Sequence, residues 1–173
     1  PTTTAAATRA ADDAVMTGAN FSRWFNPVEG TIFAEFSTIT NGLRNTGAAD
    51  YPRLFAFESS TAKNMHVFVS GPAGSPIAFT VIDGGVSQAQ LPIYGNTLGT
   101  GAMFRSVAAY KTNDFAHSLN GSAPVTDTSG TIPVCDRLSI GSTIGTGHIS
   151  GHIRRLRYWP TRLPNARLQE LST

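Results

Sequence analysis

The side chains able to do chemistry in this chain of 173 residues are few, and their spacing limits what they could do. His148 and His152 lie four apart, the interval that puts two metal ligands on one side of a helix. Gly147, Gly151 and the strand-like run "HISGHI" argue against a helix there, although on a strand the same interval also keeps one face. With no third ligand close by, no metal centre is expected. A retaining glycosidase needs two carboxylates about 5 Å apart, commonly from alternating acids on one strand. No Glu-x-Asp-x-x-Glu run occurs, and Glu35 in "TIFAEFSTI" reads as the only carboxylate inside a clear strand, pointing outward into solvent. Glycoside hydrolysis therefore stands as a second alternative, and a chain without catalysis is expected.

Other motifs are weaker. The glycine-rich runs "IGSTIGTG" and "GNTLGTGA" lack the Lys-Ser/Thr or Gly-x-Gly-x-x-Gly of a phosphate loop, and no Gly-x-Ser-x-Gly elbow is present. Asp83 in "IDGG" and Asp127 in "TDTSG" would offer oxygens to calcium, but turn formation is the commoner role of such Asp residues, so no cofactor is expected. The lone Cys135 excludes an intrachain disulfide and reads as buried filler in the strand-like "VCDRLSI". Sugar recognition combines an aromatic platform with hydrogen-bonding side chains at loops. Candidates for it are Trp24, Tyr51 in "ADYPR" and Tyr94 in "PIYGN", with Asn96 beside the last; each aromatic would serve equally as a core-edge residue.

The elements that must carry these residues are strands. Charged residues make up 14% of the chain, below the roughly 25% usual in soluble domains, while 17 Gly and 10 Pro punctuate it heavily. "TIFAEFSTI" alternates Ile32, Ala34 and Phe36 against Thr31, Phe33 and Glu35, and "RLFAFES", "MHVFVS", "IAFTVID", "MFRSVAAY" and "FAHSL" are similar short runs. Asn120-Gly121 suits a tight turn with positive φ at both positions. About ten strands at intervals near a dozen residues predict an all-β, two-sheet antiparallel jelly-roll sandwich. Helix signals are confined to "NFSRWFN" and "NARLQEL"; the second places Ala166, Leu168 and Leu171 near one side, to lie on a sheet edge. Residues 1–11 read as a linker from a preceding domain and 12–173 as one domain. No apolar run approaches the roughly 18 residues of a membrane-spanning helix.

Five of the 13 basic residues crowd between Gly151 and Leu171. The net charge is only +2, so a general nucleic-acid surface is not expected. If Ile153, Leu156 and Tyr158 point inward, the interval of three demands a bulge near Arg154 and Arg155, after which Arg155, Arg157 and Trp159 share the outer face. Arg157 and Trp159 are then in reach of a cation–π contact, and the row reads as a charged outer face or as a subunit interface.

"GHIRRLRYWPTRLPNARLQEL" resembles the closing segment of the concanavalin A-like, laminin-G-like jelly rolls of bacteriophage tail-fibre and virion proteins. "TGANFSRWFNPVEGTIFAEFST" resembles their opening, and "AAYKTNDFAHSLNG" with "TDTSGTIP" their central hairpin. Pro164 replaces an expected capping Ser and "SRWFNP" a Tyr-bearing version. The resemblance implies a module on the virion surface, in a fibre or spike, that binds a host receptor or cell-surface glycan. The alternative it leaves open is a structural or decorating domain that contacts other virion subunits, including further copies of this chain.

Overall fold

The computed structural model describes residues 13–38, 51–69, 76–95, 101–144 and 146–173. The expected linker at 1–11 and Asn96 lie outside them.

The strands are β1 (Ala14–Thr17), β2 (Glu29–Thr38), β3 (Arg53–Ser60), β4 (Lys63–Val69), β5 (Ile77–Asp83), β6 (Val86–Ile93), β7 (Met103–Lys111), β8 (Phe115–Leu119), β9 (Val125–Asp127), β10 (Arg137–Ile140) and β11 (Gly151–Trp159). Two short helices, α1 (Ala19–Ser22) and α2 (Asn165–Leu171), complete the described elements. All pairings are antiparallel and form two sheets, a six-stranded one in the order β1-β10-β3-β4-β5-β6 and a five-stranded one in the order β11-β2-β7-β8-β9. This is the expected jelly-roll sandwich. Pro92 sits in β6, at an edge of the six-stranded sheet, where a missing backbone donor does least harm.

Period-two alternation fills the space between the sheets. Ile32, Ala34 and Phe36 from β2 meet Phe55 and Phe57 from β3, Met65 and Val67 from β4, and Phe79 and Val81 from β5. Gly30 is required by close approach, since a Cβ there would come within 2.6 Å of the Tyr110 hydroxyl. That hydroxyl donates to the Asn26 carbonyl at 2.7 Å and lies 2.9 Å from the Tyr158 hydroxyl, so the polar tips of two core tyrosines satisfy each other and the chain that leads into β2. One histidine is buried in this layer. His117 Nδ1 is 3.0 Å from the Leu91 carbonyl on the opposite sheet, and because a carbonyl only accepts, Nδ1 carries the proton. Nε2 is left to accept from the Ser106 hydroxyl at 3.0 Å, and burial pushes the imidazole down to about 4.

The turn at Asn120 and Gly121 has φ of 48° and 75°, as expected, and the Ser122 amide closes it onto the Leu119 carbonyl at 2.9 Å. Pairing of β8 with β9 begins only at His117 and Val125, so the connection is wider than a two-residue hairpin. Cys135 precedes β10 rather than lying within it, half-buried, with its thiol pushed up to about 12 chiefly by desolvation.

β11 pairs with β2 at the sheet edge, with a register shift between Ile153 and Arg155, so the bulge falls at Arg154. Ile153, Leu156 and Tyr158 pack against the inter-sheet core, while Arg155 and Arg157 are exposed on the outer face. Trp159 shares that outer face but joins a second apolar cluster of Phe33, Val107, Ala109 and Ala116, with Leu163, Leu168 and Leu171. α2 therefore lies over the outer face against β7 and β8, not on an edge, because that face is itself apolar. Leu168 and Leu171 reach the sheet, whereas Ala166 is exposed. Pro164 occupies the N-cap without a side-chain cap, and its carbonyl accepts from the Leu168 amide at 3.1 Å.

Candidate functional site

On the outer face of the six-stranded sheet Glu58, Asn64, His66 and Thr80 form a buried polar patch. Along β4, Met65, Val67 and Val69 enter the core, so Asn64, His66 and Phe68 alternate outward. The ladders place Arg53 opposite Phe68, Glu58 opposite Asn64, and Thr80 opposite His66. Arg53, Asn64 and His66, with Thr61, Thr143 and Thr146, line a polar cleft of about 210 Å³ that has Ile82 as its apolar wall.

Hydrogen bonding fixes what each group offers. Asn64 donates through Nδ2 to the Thr61 carbonyl at 2.7 Å, which orients its amide so that Oδ1 faces His66 Nδ1 at 2.6 Å. Nδ1 is then the protonated nitrogen, and Nε2 holds a lone pair. Burial, and after it the Arg53 charge, lowers the His66 pKa well below its usual value, so the ring is a neutral acceptor near pH 7. The Arg53 guanidinium lies 5.6 Å above the Phe68 ring and donates to the Tyr51 carbonyl, and the Tyr51 ring stacks on Phe68 at 5.2 Å. A cation, an aromatic pair and a hydrogen-bond acceptor thus converge. The Thr80 hydroxyl, on the strand beside His66, is buried without a hydrogen-bond partner among the described residues.

One wall is held by a buried acid. Glu58 is fully buried and accepts from the Ser139 hydroxyl at 2.5 Å, the Ile144 amide at 3.0 Å and the Thr143 hydroxyl. These bonds pin the segment that carries Thr143 beside the sheet. Glu58 also corrects the expectation that Glu35 is the only strand carboxylate, since β2, β3, β5 and β9 include Glu29, Glu58, Asp83 and Asp127 as well. Nor is Glu35 solitary, because it pairs with Arg105 at 3.3 Å. Glu35 and Glu58 stand on different sheets, so they do not form the carboxylate pair of a retaining glycosidase.

The sugar-binding candidates separate. Tyr51 belongs to the aromatic stack beside the cleft. Tyr94, 67% exposed, follows β6 at the same end of the sheet, because Arg53, Phe68, Ile77 and Ile93 end neighbouring strands. Three strand spacings separate them, about 14 Å. Trp24 is half-buried between the sheets, edge-on to Phe21 at 5.2 Å and Tyr158 at 5.0 Å, with its Nε1 donating to the Asn20 carbonyl at 2.7 Å. Arg155, Arg157 and Trp159 stand on the other sheet, and the cation–π contact among the described residues is Arg53 over Phe68, not Arg157 over Trp159. His148 and His152 are exposed, and among the described residues no three His, Cys, Asp or Glu side chains gather as a metal site. Asp127 accepts from the Ser129 amide and hydroxyl, as turn-forming acids do, whereas Asp83 accepts from the hydroxyl of Thr131, distant in sequence. The sequence reading missed Arg53, Asn64, His66 and Phe68. The signal for three of them was present in "KNMHVFV", whose outward positions carry Asn, His and Phe in place of the usual solvated side chains.

A larger cleft of about 520 Å³ beside α1 is lined by Phe21, Phe25, Pro27 and Cys135, and its charged groups, Asp136 and Arg137, pair with each other at 3.0 Å. Thr17 and Ser22 also line it.

No protein-family model and no curated protein matches the chain. Solved structures do. The sialidase module CBM40 of Ruminococcus gnavus, bound to alpha2,3 sialyllactose, superposes with a TM-score of 0.65 at 13% identity, over 86% of this chain and 84% of that one. The fold is a lectin-like jelly roll. Mouse laminin alpha1 domains LG4-5 give a TM-score of 0.57 at 12% identity, over 88% of this chain and 40% of that one. The enzymatically active domain of bacteriophage CBA120 tailspike protein 2 gives 0.60 at 16% identity, over 88% and 25%.

Proposed function

We propose that this chain is a non-catalytic carbohydrate-binding module and that the cleft on the outer face of the six-stranded sheet is its sugar site. The observation that carries the reading is a cleft of about 210 Å³ lined by the Arg53 guanidinium, Asn64 and the neutral His66 acceptor, with the Tyr51–Phe68 stack next to Arg53 and His66. A sugar ring offers an apolar C–H face and a rim of hydroxyls, which is the complement of that set. The CBM40 likeness supports the reading through its fold, since that module is seen with a sialylated trisaccharide. The chain's setting in this reading is a virion surface, in a tail fibre or spike, with a host cell-surface glycan or receptor as its partner; the terminal segment's resemblance and the likeness in fold to a phage tailspike domain support that setting.

A glycan array probed with the chain, followed by calorimetry on the best ligand, tests it. Arg53→Gln is expected to weaken binding about tenfold or more while the fold persists by circular dichroism. Failure of the chain to bind any glycan, or unchanged affinity in Arg53→Gln, would defeat the reading.

A further inference from the structure

The outer face of the five-stranded sheet holds a second groove that the sugar cleft does not use. It has a volume of about 210 Å³ and runs between β11 and α2, lined by Glu35, Arg105, Arg155, Arg157, Trp159 and Leu171 among others. The ladder sets Arg155, Glu35 and Arg105 side by side across three strands. Glu35 pairs with Arg105, whose guanidinium also donates to the Thr173 carbonyl. Arg155 and Arg157 have no carboxylate partner among the described residues, and both are exposed. Two residues apart on one strand face, their side chains leave the backbone about 7 Å from each other. Trp159 comes next in that row, half-buried, with Leu171 as its apolar neighbour.

We infer that this groove binds an acidic saccharide, a sugar bearing a carboxylate, sulfate or phosphate, with Arg155 and Arg157 on the anion and Trp159 against the ring. A planar guanidinium fork meets each of these oxyanions with two parallel hydrogen bonds, and the exposed surplus of positive charge draws the ligand in. Two other occupants fit worse. A second copy of the chain docking by the same patch would set arginines against arginines, a like-charge contact. A nucleic acid draws its affinity from many phosphates, whereas two unpaired arginines on a chain of net charge +2 neutralise few. The inference is independent of the sugar cleft, since no residue lines both.

The test titrates the chain with a heparin tetrasaccharide, an oligogalacturonate, a phosphorylated oligomannose and neutral maltotetraose. Tryptophan emission in a Trp24→Phe background reports on Trp159, because the chain has only two tryptophans. The expected result is binding of at least one acidic oligosaccharide with a change in Trp159 emission, weaker at higher salt, and no such change with maltotetraose. Which acidic ligand binds identifies the anion. Arg155→Gln with Arg157→Gln should lower affinity about tenfold or more, while Arg23→Gln with Lys63→Gln, which removes the same charge elsewhere, should not. The inference is overturned if no acidic oligosaccharide binds, if the two double variants weaken binding equally, if duplex DNA binds more tightly at the same salt, or if sedimentation shows a dimer that Arg155→Gln with Arg157→Gln dissolves.

Discussion

The outer faces of the two sheets solve the same problem in opposite ways. On the six-stranded sheet, Glu58, Asn64, His66 and Thr80 are all buried, and Glu58 reaches across to Ser139, Thr143 and Ile144. On the five-stranded sheet, half the face is apolar and roofed by α2, and the other half presents arginines to solvent. Burying polar groups is costly unless each finds a partner, so the first face specifies its geometry tightly and loses much when one partner is removed. The second face draws stability from packing at one end, and its charges are free to meet a ligand at the other.

The largest effect should therefore come from Glu58. Glu58→Ala strands a backbone amide and two hydroxyls and opens a cavity, which should cost about 3–5 kcal/mol in urea denaturation. Glu35→Ala, which breaks the pair with Arg105 on the other face, should cost no more than about 1 kcal/mol. Equal costs for the two would remove the contrast between the faces.

Acid should act in part through the two buried imidazoles, His117 and His66. The folded pKa of His117 lies near 4, below its unfolded value of 6.5, so its contribution is fully present above pH 6.5 and fades as pH falls toward 4. That shift corresponds to about 3 kcal/mol. His66 is lowered as well and adds in the same direction from the polar face. His117→Gln should flatten part of the decline between pH 6.5 and 4, and His66 keeps its own share in the variant. A variant slope equal to that of the parent would show that His117 is not held neutral in the core.

These contrasts also explain what was legible in the sequence. Alternation in "TIFAEFSTI" and "RLFAFES", together with the Asn120-Gly121 turn, announced the sandwich because period two and positive φ are local properties. The odd interval between Ile153 and Leu156 revealed the bulge for the same reason. The polar cleft was not legible in this way. It joins β3, β4 and the segment after β10, and only strand order brings Arg53 opposite Phe68 or Glu58 near Thr143. Trp24 illustrates the converse, since an aromatic in a loop-like stretch carries no mark of whether it faces the core. The position of α2 depended on Val107, Ala109 and Ala116 forming an apolar outer face, a pattern divided between two strands.

On the packed half of the five-stranded sheet, Leu168 is fully buried and anchors α2. Leu168→Ala should cost about 2–4 kcal/mol. The loss should leave the polar cleft intact, so glycan affinity measured well below the melting temperature should hold. Loss of affinity in the folded variant would couple the two faces.

The smallest effect belongs to the arginine row, and its value lies in the contrast with a neighbour. Leu156 and Arg157 are consecutive in β11, yet the bulge at Arg154 sends Leu156 toward the core and Arg157 to solvent. Leu156 is only partly buried, so Leu156→Ala should cost about 1–2 kcal/mol, less than a fully enclosed leucine. Arg157→Ala removes an exposed side chain with no carboxylate partner among the described residues, and should stay within about 0.5 kcal/mol. Urea denaturation of both variants, with sedimentation to establish that each is a monomer, reads the difference directly. If Arg157→Ala proves the more damaging, β11 pairs with β2 without the shift, its faces are exchanged, and the groove beside Trp159 loses the two guanidiniums that define it.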